Sequence, residues 1–355
     1  APLGSVVNAR PPAACGAIGE VRRALESLVV GTLGMAIPER LVGDLKGASN
    51  LISISGRHPM QQEDFLFVEF PAGGTGGTSR TDGNNSMRNF AEGDISSIQP
   101  IEALEASCPL RVERMVLRQD SGGPGRHRGG LGLQREIRVL GEHAQLSVLS
   151  DKNLIPPYGV RGGWTGAPNR FTVRRDDTEI EPSPLPGKVT GFALRAGDVV
   201  VERTAGGGGY GDPVERDAQA VVRDVCFGYV SAASAQAAYG ITLRDGNEDA
   251  EATKTLRVRL RAQRVELRAI LLDAEERAGS RLTLRIAPSV AQQLGVSDGH
   301  LVEVARADGP SLLGWARIAA DVPEGTCALA AAVASLLGLR QDDRIALRPV
   351  NDQRR

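Results

Sequence analysis

Residues 117–132 read LRQDSGGPGRHRGGLG, with five glycines between Asp120 and Gly130 interleaved with Arg126, His127 and Arg128. The segment RVERMVLR (111–118) runs into this stretch and LQREIRVL (133–140) leaves it; both are rich in β-formers. Its plain reading is therefore a long β-hairpin loop. Its functional reading is a rigid cationic loop at an active site or a subunit interface. Outward from it the β-rich pattern continues through DFLFVEF (64–70), HAQLSVLS (143–150), RFTVRR (170–175) and DVVVERT (198–204). The joints NLIPPYGVRGGWTGAPN, EPSPLPGK and RAGD consist of turn-forming residues.

Helices flank this β-rich region. In 17–37 the residues Ile18, Val21, Leu25, Leu28, Val29 and Leu33 fall near helical spacing, Pro38 stops the helix, and Gly31 and Gly34 would permit close packing. Asp217 is placed to cap AQAVVRDVCF, and SAASAQAAY ends at Gly240. Residues 244–254 are polar and mark a boundary. TLRVRLRAQRVELRAILLDAE (255–275) mixes strand-like alternation in its first half with helix-like spacing in its second, and its type stays open. Beyond it lies an internal echo. VAQQLGVSDGHLVEV begins at Val290 and VASLLGLRQDDRIAL at Val333, pairing Leu294 with Leu337, Gly295 with Gly338, Val302 with Ile345 and Val304 with Leu347. Each copy reads as helix, glycine stop, polar turn and strand. This arrangement resembles double-psi β-barrel domains.

Composition narrows the function classes. The 355 residues suffice for two or three domains. Charges balance at 42 Lys+Arg against 43 Asp+Glu, so no uniform field attracts nucleic acid or a membrane surface. Aromatics at 4% argue against stacking platforms. No apolar run reaches the roughly 18 residues of a membrane span, and the start has no secretory pattern. Cys15, Cys108, Cys226 and Cys327 show no CxxC spacing, and His58, His127, His143 and His300 show no metal-ligand spacing. Reduced thiols in a cytoplasmic protein without a metal site are the expectation.

Two glycine clusters, AGGTGGTSR (72–80) and TAGGGGYGD (204–212), could cradle an anion, permit close backbone approach, or simply turn. Neither is a P-loop. Gly206, Gly208 and Gly211 match a bare G-x-G-x-x-G, but Asp212-Pro213 follows where a dinucleotide fold needs a helix. No G-x-S-x-G occurs, and Cys108 has no base adjacent in sequence. Glu102, Glu105, Arg111, Glu113, Arg114, Arg118 and Asp120 are concentrated in one stretch, either as acid/base and substrate-holding groups or as a solvated strand face.

Seven segments in order resemble the hydantoinase B/oxoprolinase family: NARPPAA (8–14), PIEALEASCPLRVER (100–114), LRQDSGGPGRHRGGLG (117–132), LIPPYGVRGGWTGAPN (154–169), LPGKVT (185–190), LRAGDVV (194–200) and TAGGGGYGDPVERD (204–217). The resemblance covers about residues 1–243. It implies that residues 1–243 are a β-rich region with flanking helices, N-terminally incomplete; with the connecting segment (244–279) and the small barrel-like domain (280–350) read from the sequence itself, the chain is an α+β protein in three parts. It also implies a subunit of an ATP-dependent enzyme that hydrolyses a cyclic amide (5-oxoproline, hydantoin or lactam) or carboxylates a ketone. The expected partners are a hydantoinase A-type ATP-binding subunit and a separate chain with the N-terminal half. ATP and Mg are expected in the partner, and any catalytic metal outside this chain. A non-catalytic scaffold subunit is the alternative. The chain departs from the family in its incomplete start, in the lack of histidines in 82–99 and in the extension after 244. The candidate acid/base groups are Asp82, Glu102 and Asp120. Gly73, Gly74, Thr75, Gly76, Gly77, Arg126 and Arg128 are the candidates for substrate or phosphate binding.

Overall fold

The computed structural model describes residues 1–5, 7–14, 18–37, 40–87, 99–272, 282–306 and 311–349. Cys15, most of the 82–99 loop and the last residues of the 244–279 connection lie outside the described residues.

Two antiparallel sheets form a sandwich. The first runs in the order β2 (Asp64–Glu69), β1 (Leu51–Arg57), β5 (Ala144–Leu149), β8 (Lys188–Leu194). The second runs β3 (Leu110–Leu117), β4 (Leu133–Val139), β9 (Val199–Arg203), β6 (Arg170–Arg175), β7 (Thr178–Ile180). Strand alternation makes the core. Ile54 pairs with Phe67 and Leu146 across the first sheet and buries against Ile137, Val173 and Val200 of the second. The short α2 (Ile101–Ser107) plugs one end with Leu104. All six strands expected between 64 and 204 are present. The β1 and β8 strands were not expected; each contains a glycine, Gly56 and Gly191, that dilutes its β-pattern.

The α1 helix (Ile18–Ala36) forms as its spacing predicts, and Gly31 and Gly34 do give close approach, to Tyr158 and Leu41. Its burial is the reverse of an ordinary amphipathic helix. Glu20, Arg23 and Ser27 are buried, whereas Leu25, Leu28, Val29 and Leu33 are exposed. After β9, α3 (Ala218–Cys226) is capped by Asp217, and α4 (Ala232–Tyr239) runs from its Ser231 cap to a left-handed Gly240. A two-stranded ribbon, β10 (Leu243–Arg244) with β11 (Asn247–Glu248), leads into α5 (Ala250–Ala262) and β12 (Val265–Leu272). The ambiguous 255–275 stretch thus resolves as helix first and strand second, the opposite of its local pattern.

The β12 strand joins a closed barrel with β13 (Thr283–Ile286), β14 (Leu301–Ala305), β15 (Ser311–Ile318), β16 (Thr326–Ala330) and β17 (Arg344–Pro349), ordered β12-β16-β13-β15-β14-β17. Exchanging β12 with β15, β13 with β16 and β14 with β17 reproduces this circular order and both parallel pairs, β12–β16 and β13–β15. The barrel is pseudo-two-fold, and the sequence echo is its trace. The echoed helices α6 (Pro288–Leu294) and α7 (Ala331–Leu337) each stop at a left-handed glycine, Gly295 and Gly338.

Candidate functional site

Between the sandwich and the barrel lies a core made largely of backbone. The glycine-rich segments around 43–47, 73–77, 122–132, 159–167 and 205–211 run past one another as extended chains with few side chains between them. Gly207 donates to Gly130 O, Gly208 to Asp44 O and Gly209 to Trp164 O, at 2.7–2.9 Å. Three successive residues thus bond to three different neighbours. A sheet strand alternates between two; a three-residue period belongs to packed polyproline-II-type chains, as in collagen. Such chains touch backbone to backbone. A Cβ on Gly208 would lie 1.7 Å from Tyr158 O, and one on Gly76 1.7 Å from Gly43 O.

This bundle brings together the two loops singled out in the sequence. Gly130 N donates to Thr75 O, and Thr75 N to Asn84 O. Gly73, Gly74, Thr75 and Gly77 all donate their amides to neighbouring segments.

Asp82 sits beside the bundle. Its carboxylate accepts two hydrogen bonds from Arg216, both 2.6 Å, and one from Arg128 N at 2.7 Å. Arg216 also donates to Asp224 (2.8 Å), and Arg128 lies 3.5 Å from Asp224 and 5.3 Å over the Tyr229 ring. Two arginines and two aspartates therefore balance, tying the 120–132 loop to residues 212–230. Burial acts to raise the Asp82 carboxyl, but the Arg216 hydrogen bonds and charge, with Arg128 behind them, outweigh it and hold it below the usual range. Asp82 is ionised and a weak base. Arg128 is buried in this network, whereas Arg126 is exposed. His127, half-buried between them, is pushed below the ordinary imidazole value by burial first and by Arg126 and Arg216, against the pull of Asp82. It is neutral at neutral pH, and with Arg126 it forms the accessible edge of the loop.

Asp120 occupies a separate place. Its backbone is left-handed (φ 60°), its N–H bonds Tyr229 O, and its carboxylate accepts from Ser231 N. It lines a cavity of about 210 Å³ with Trp164, Ala238, Leu260, Arg264 and Arg348. The barrel closes this cavity and is fastened to the bundle by Thr165 N to Glu303 (2.9 Å), Ser311 N to Gly159 O (3.0 Å) and Arg348 to Gly162 O (2.9 Å). Glu102 is exposed on α2, ahead of β3, whereas Asp120 follows that strand; eight strand residues put roughly 26 Å between the two ends. Asp82 and Asp120 both contact the 212–231 segment, and Glu102 does not join them.

Sequence reading passed over Arg216 and Asp224, although Arg216 stands in the DPVERD end of a quoted motif. It also passed over Glu202. This side chain sits fully buried mid-strand opposite Arg135, and burial, against the attraction of Arg135, pushes its carboxyl up to about 8. Among the described residues no group of three or more His, Cys, Asp or Glu is placed to hold a metal ion, and no helix is long and apolar enough to cross a membrane.

The hydantoinase B/oxoprolinase family model matches residues 1–213. The chain belongs to the hydantoinase B/oxoprolinase family. This hydantoinase B-type chain is 34% identical over 263 residues to an uncharacterised protein of Methanocaldococcus jannaschii, covering 72% of the chain and 44% of that protein. It is 30% identical over 259 residues to the caprolactamase subunit beta of Pseudomonas jessenii, covering 69% and 43% respectively. The crystal structure of the ATP-dependent caprolactamase from that organism superposes with a TM-score of 0.50 at 27% identity, over 64% of the chain and 40% of the caprolactamase chain. A nucleotide-free acetone carboxylase shares the fold, with a TM-score of 0.54 at 23% identity over 64% of the chain and 35% of its own. The hydantoinase B-type chain spans less than half the length of these relatives.

Proposed function

We propose that this chain is a subunit of an ATP-dependent enzyme that opens a cyclic amide such as 5-oxoproline, a hydantoin or a lactam. In this reading it works with a hydantoinase A-type subunit that binds ATP and Mg, and with a chain supplying the remainder of the hydantoinase B fold. The carrying observation is its family membership together with 30% identity to a caprolactamase beta subunit over 69% of the chain. The chemistry requires activation, because an amide carbonyl is a poor electrophile and phosphorylating its oxygen creates a leaving group.

Residues 1–243 are the family region, 244–279 the connection and 280–350 the bulk of the barrel, to which β12 adds its strand. Arg126, exposed beside the neutral His127, is the contact for a substrate carboxylate or phosphate. The Gly73–Gly77 segment acts with it by positioning the loop. Asp120, facing the cavity, is the favoured acid/base candidate over the ion-paired Asp82 and the distant Glu102.

The scaffold alternative is favoured by one observation, the internal use of the glycine amides. The test is to purify the chain with its partners and follow ADP release and ring opening with MgATP and each cyclic amide. Substrate-dependent ADP release by the complex, with Arg126→Ala raising KM about tenfold, is the expected result. Release driven by a ketone and bicarbonate would move the reading to carboxylation. Absence of any substrate-dependent release would overturn it, and unchanged kinetics in Arg126→Ala would remove that loop from the site.

A further inference from the structure

The α1 helix is inside out. Glu20 accepts from Asn50 N at 2.8 Å on its inner side, Ser27 donates to Asp44 at 2.8 Å, and Arg23 is buried. Leu25, Leu28, Val29 and Leu33 face away, with Leu28 63% and Leu33 57% exposed. No other element of the described residues carries more than two exposed large apolar side chains. The segment 152–158 is anchored to the helix at both ends. Tyr158 packs against Gly31 and bonds Ser27 O, and Lys152 and Ser27 both donate to Asp44. Between these two residues in sequence, Leu154 and Ile155 are exposed as well. Contiguous apolar surface of this kind marks an interaction site.

We propose that this face of α1, with Leu154 and Ile155, is the docking surface for the part of the hydantoinase B fold that this chain does not span. The proposal rests on the multi-subunit reading above and names the surface through which that reading is realised. Length argues for this occupant. The matched region is only 44% and 43% of the two relatives, so more than half of their residues have no counterpart here. A surface of this region that is polar within and apolar without is suited to packing against that remainder. A membrane is a poorer match, since the ion-paired Arg22 and Glu26 reach the surface beside these leucines.

The experiment uses the tagged full chain as bait in extract of its source, with captured polypeptides identified by mass spectrometry and affinity measured on the purified pair. Leu28→Glu with Leu33→Glu is the test variant. Phe227→Glu, at an exposed aromatic outside the patch, is the control. The expected result is capture of a polypeptide homologous to the unmatched part of the relatives, weakened at least about 100-fold by the double variant and unchanged by Phe227→Glu. Thermal melting confirms that the variant is folded. Equal capture by the double variant, absence of any such polypeptide, or a homodimer of this chain that the double variant dissolves would each overturn the proposal. A complex that forms through α1 yet releases no ADP with any cyclic amide would leave the docking intact and sink the assigned activity.

Discussion

Replacing Gly208 by alanine tests the backbone core most directly. The new Cβ would lie 1.7 Å from Tyr158 O, and reaching even the shortest tolerable contact of 3.0 Å requires more than an ångström of backbone displacement. That carbonyl accepts from Asp44 N at 2.9 Å, Asp44 O accepts from Gly208 N at 2.7 Å, and Gly208 O accepts from Gly77 N at 2.9 Å. Displacement of this size breaks two or three of these bonds and leaves their groups buried. At about 1–3 kcal/mol for each unsatisfied group, the loss is roughly 4–6 kcal/mol, comparable with the whole stability of a modest domain. The protein has two tryptophans, Trp164 in the bundle and Trp315 in the barrel. In a Trp315→Phe background, urea unfolding followed by fluorescence therefore reports on the bundle. Gly246→Ala is the control. Its glycine has φ 79° but open space around it, so only about 1–2 kcal/mol of backbone strain is expected. A Gly208→Ala midpoint equal to that of the control would refute close backbone packing.

Glu202 makes stability depend on pH. Its carboxyl holds a proton up to about 8 when folded and releases it near 4.5 when unfolded. The unfolded chain therefore binds fewer protons between those values, and stability falls as pH rises from about 4.5 to 8, by roughly 5 kcal/mol if the whole shift is expressed. Glu202→Gln should flatten the melting temperature between pH 5 and 8, and a variant that tracks the parent across that range would disprove a buried protonated acid. Thiol chemistry offers a second check. In a Cys15→Ser protein only the exposed Cys226 should react promptly with a thiol reagent, with Cys108 and Cys327 appearing on denaturation. Prompt reaction of a second thiol would mean that one of the buried sites opens.

Local signals were legible wherever the residue pattern and the tertiary environment agree. The strands at 64–70, 133–140 and 170–175 have β-formers on their buried faces, and Asp217, Ser231 and Gly240 are capping residues acting within one turn. The echo at Val290 and Val333 preserved the symmetry of the barrel because both copies bury the same face. Reading failed where partners lie far off in sequence. The 255–275 stretch alternates like a strand in the part that became α5, and β12 is held by β16 and β17, more than fifty residues on. The candidate site divides in the same way. The 73–77 and 120–132 loops stood out by composition, whereas the Asp82–Arg216 pair spans 134 residues and left no local mark.

By itself the sequence determined the β-rich region, its flanking helices, the repeated barrel unit and, through seven ordered motifs, the family. Glycine content left close chain passage open beside an anion cradle and simple turns, since a residue without a Cβ allows all three. Tertiary structure alone decided which chains pass: Gly207, Gly208 and Gly209 bond Gly130, Asp44 and Trp164, each more than forty residues away. It decided equally that Arg128 is buried while Arg126 is exposed, and that the apolar residues of α1 face outward. Helical spacing fixes which side chains share a face, but the surroundings of the helix fix where that face points.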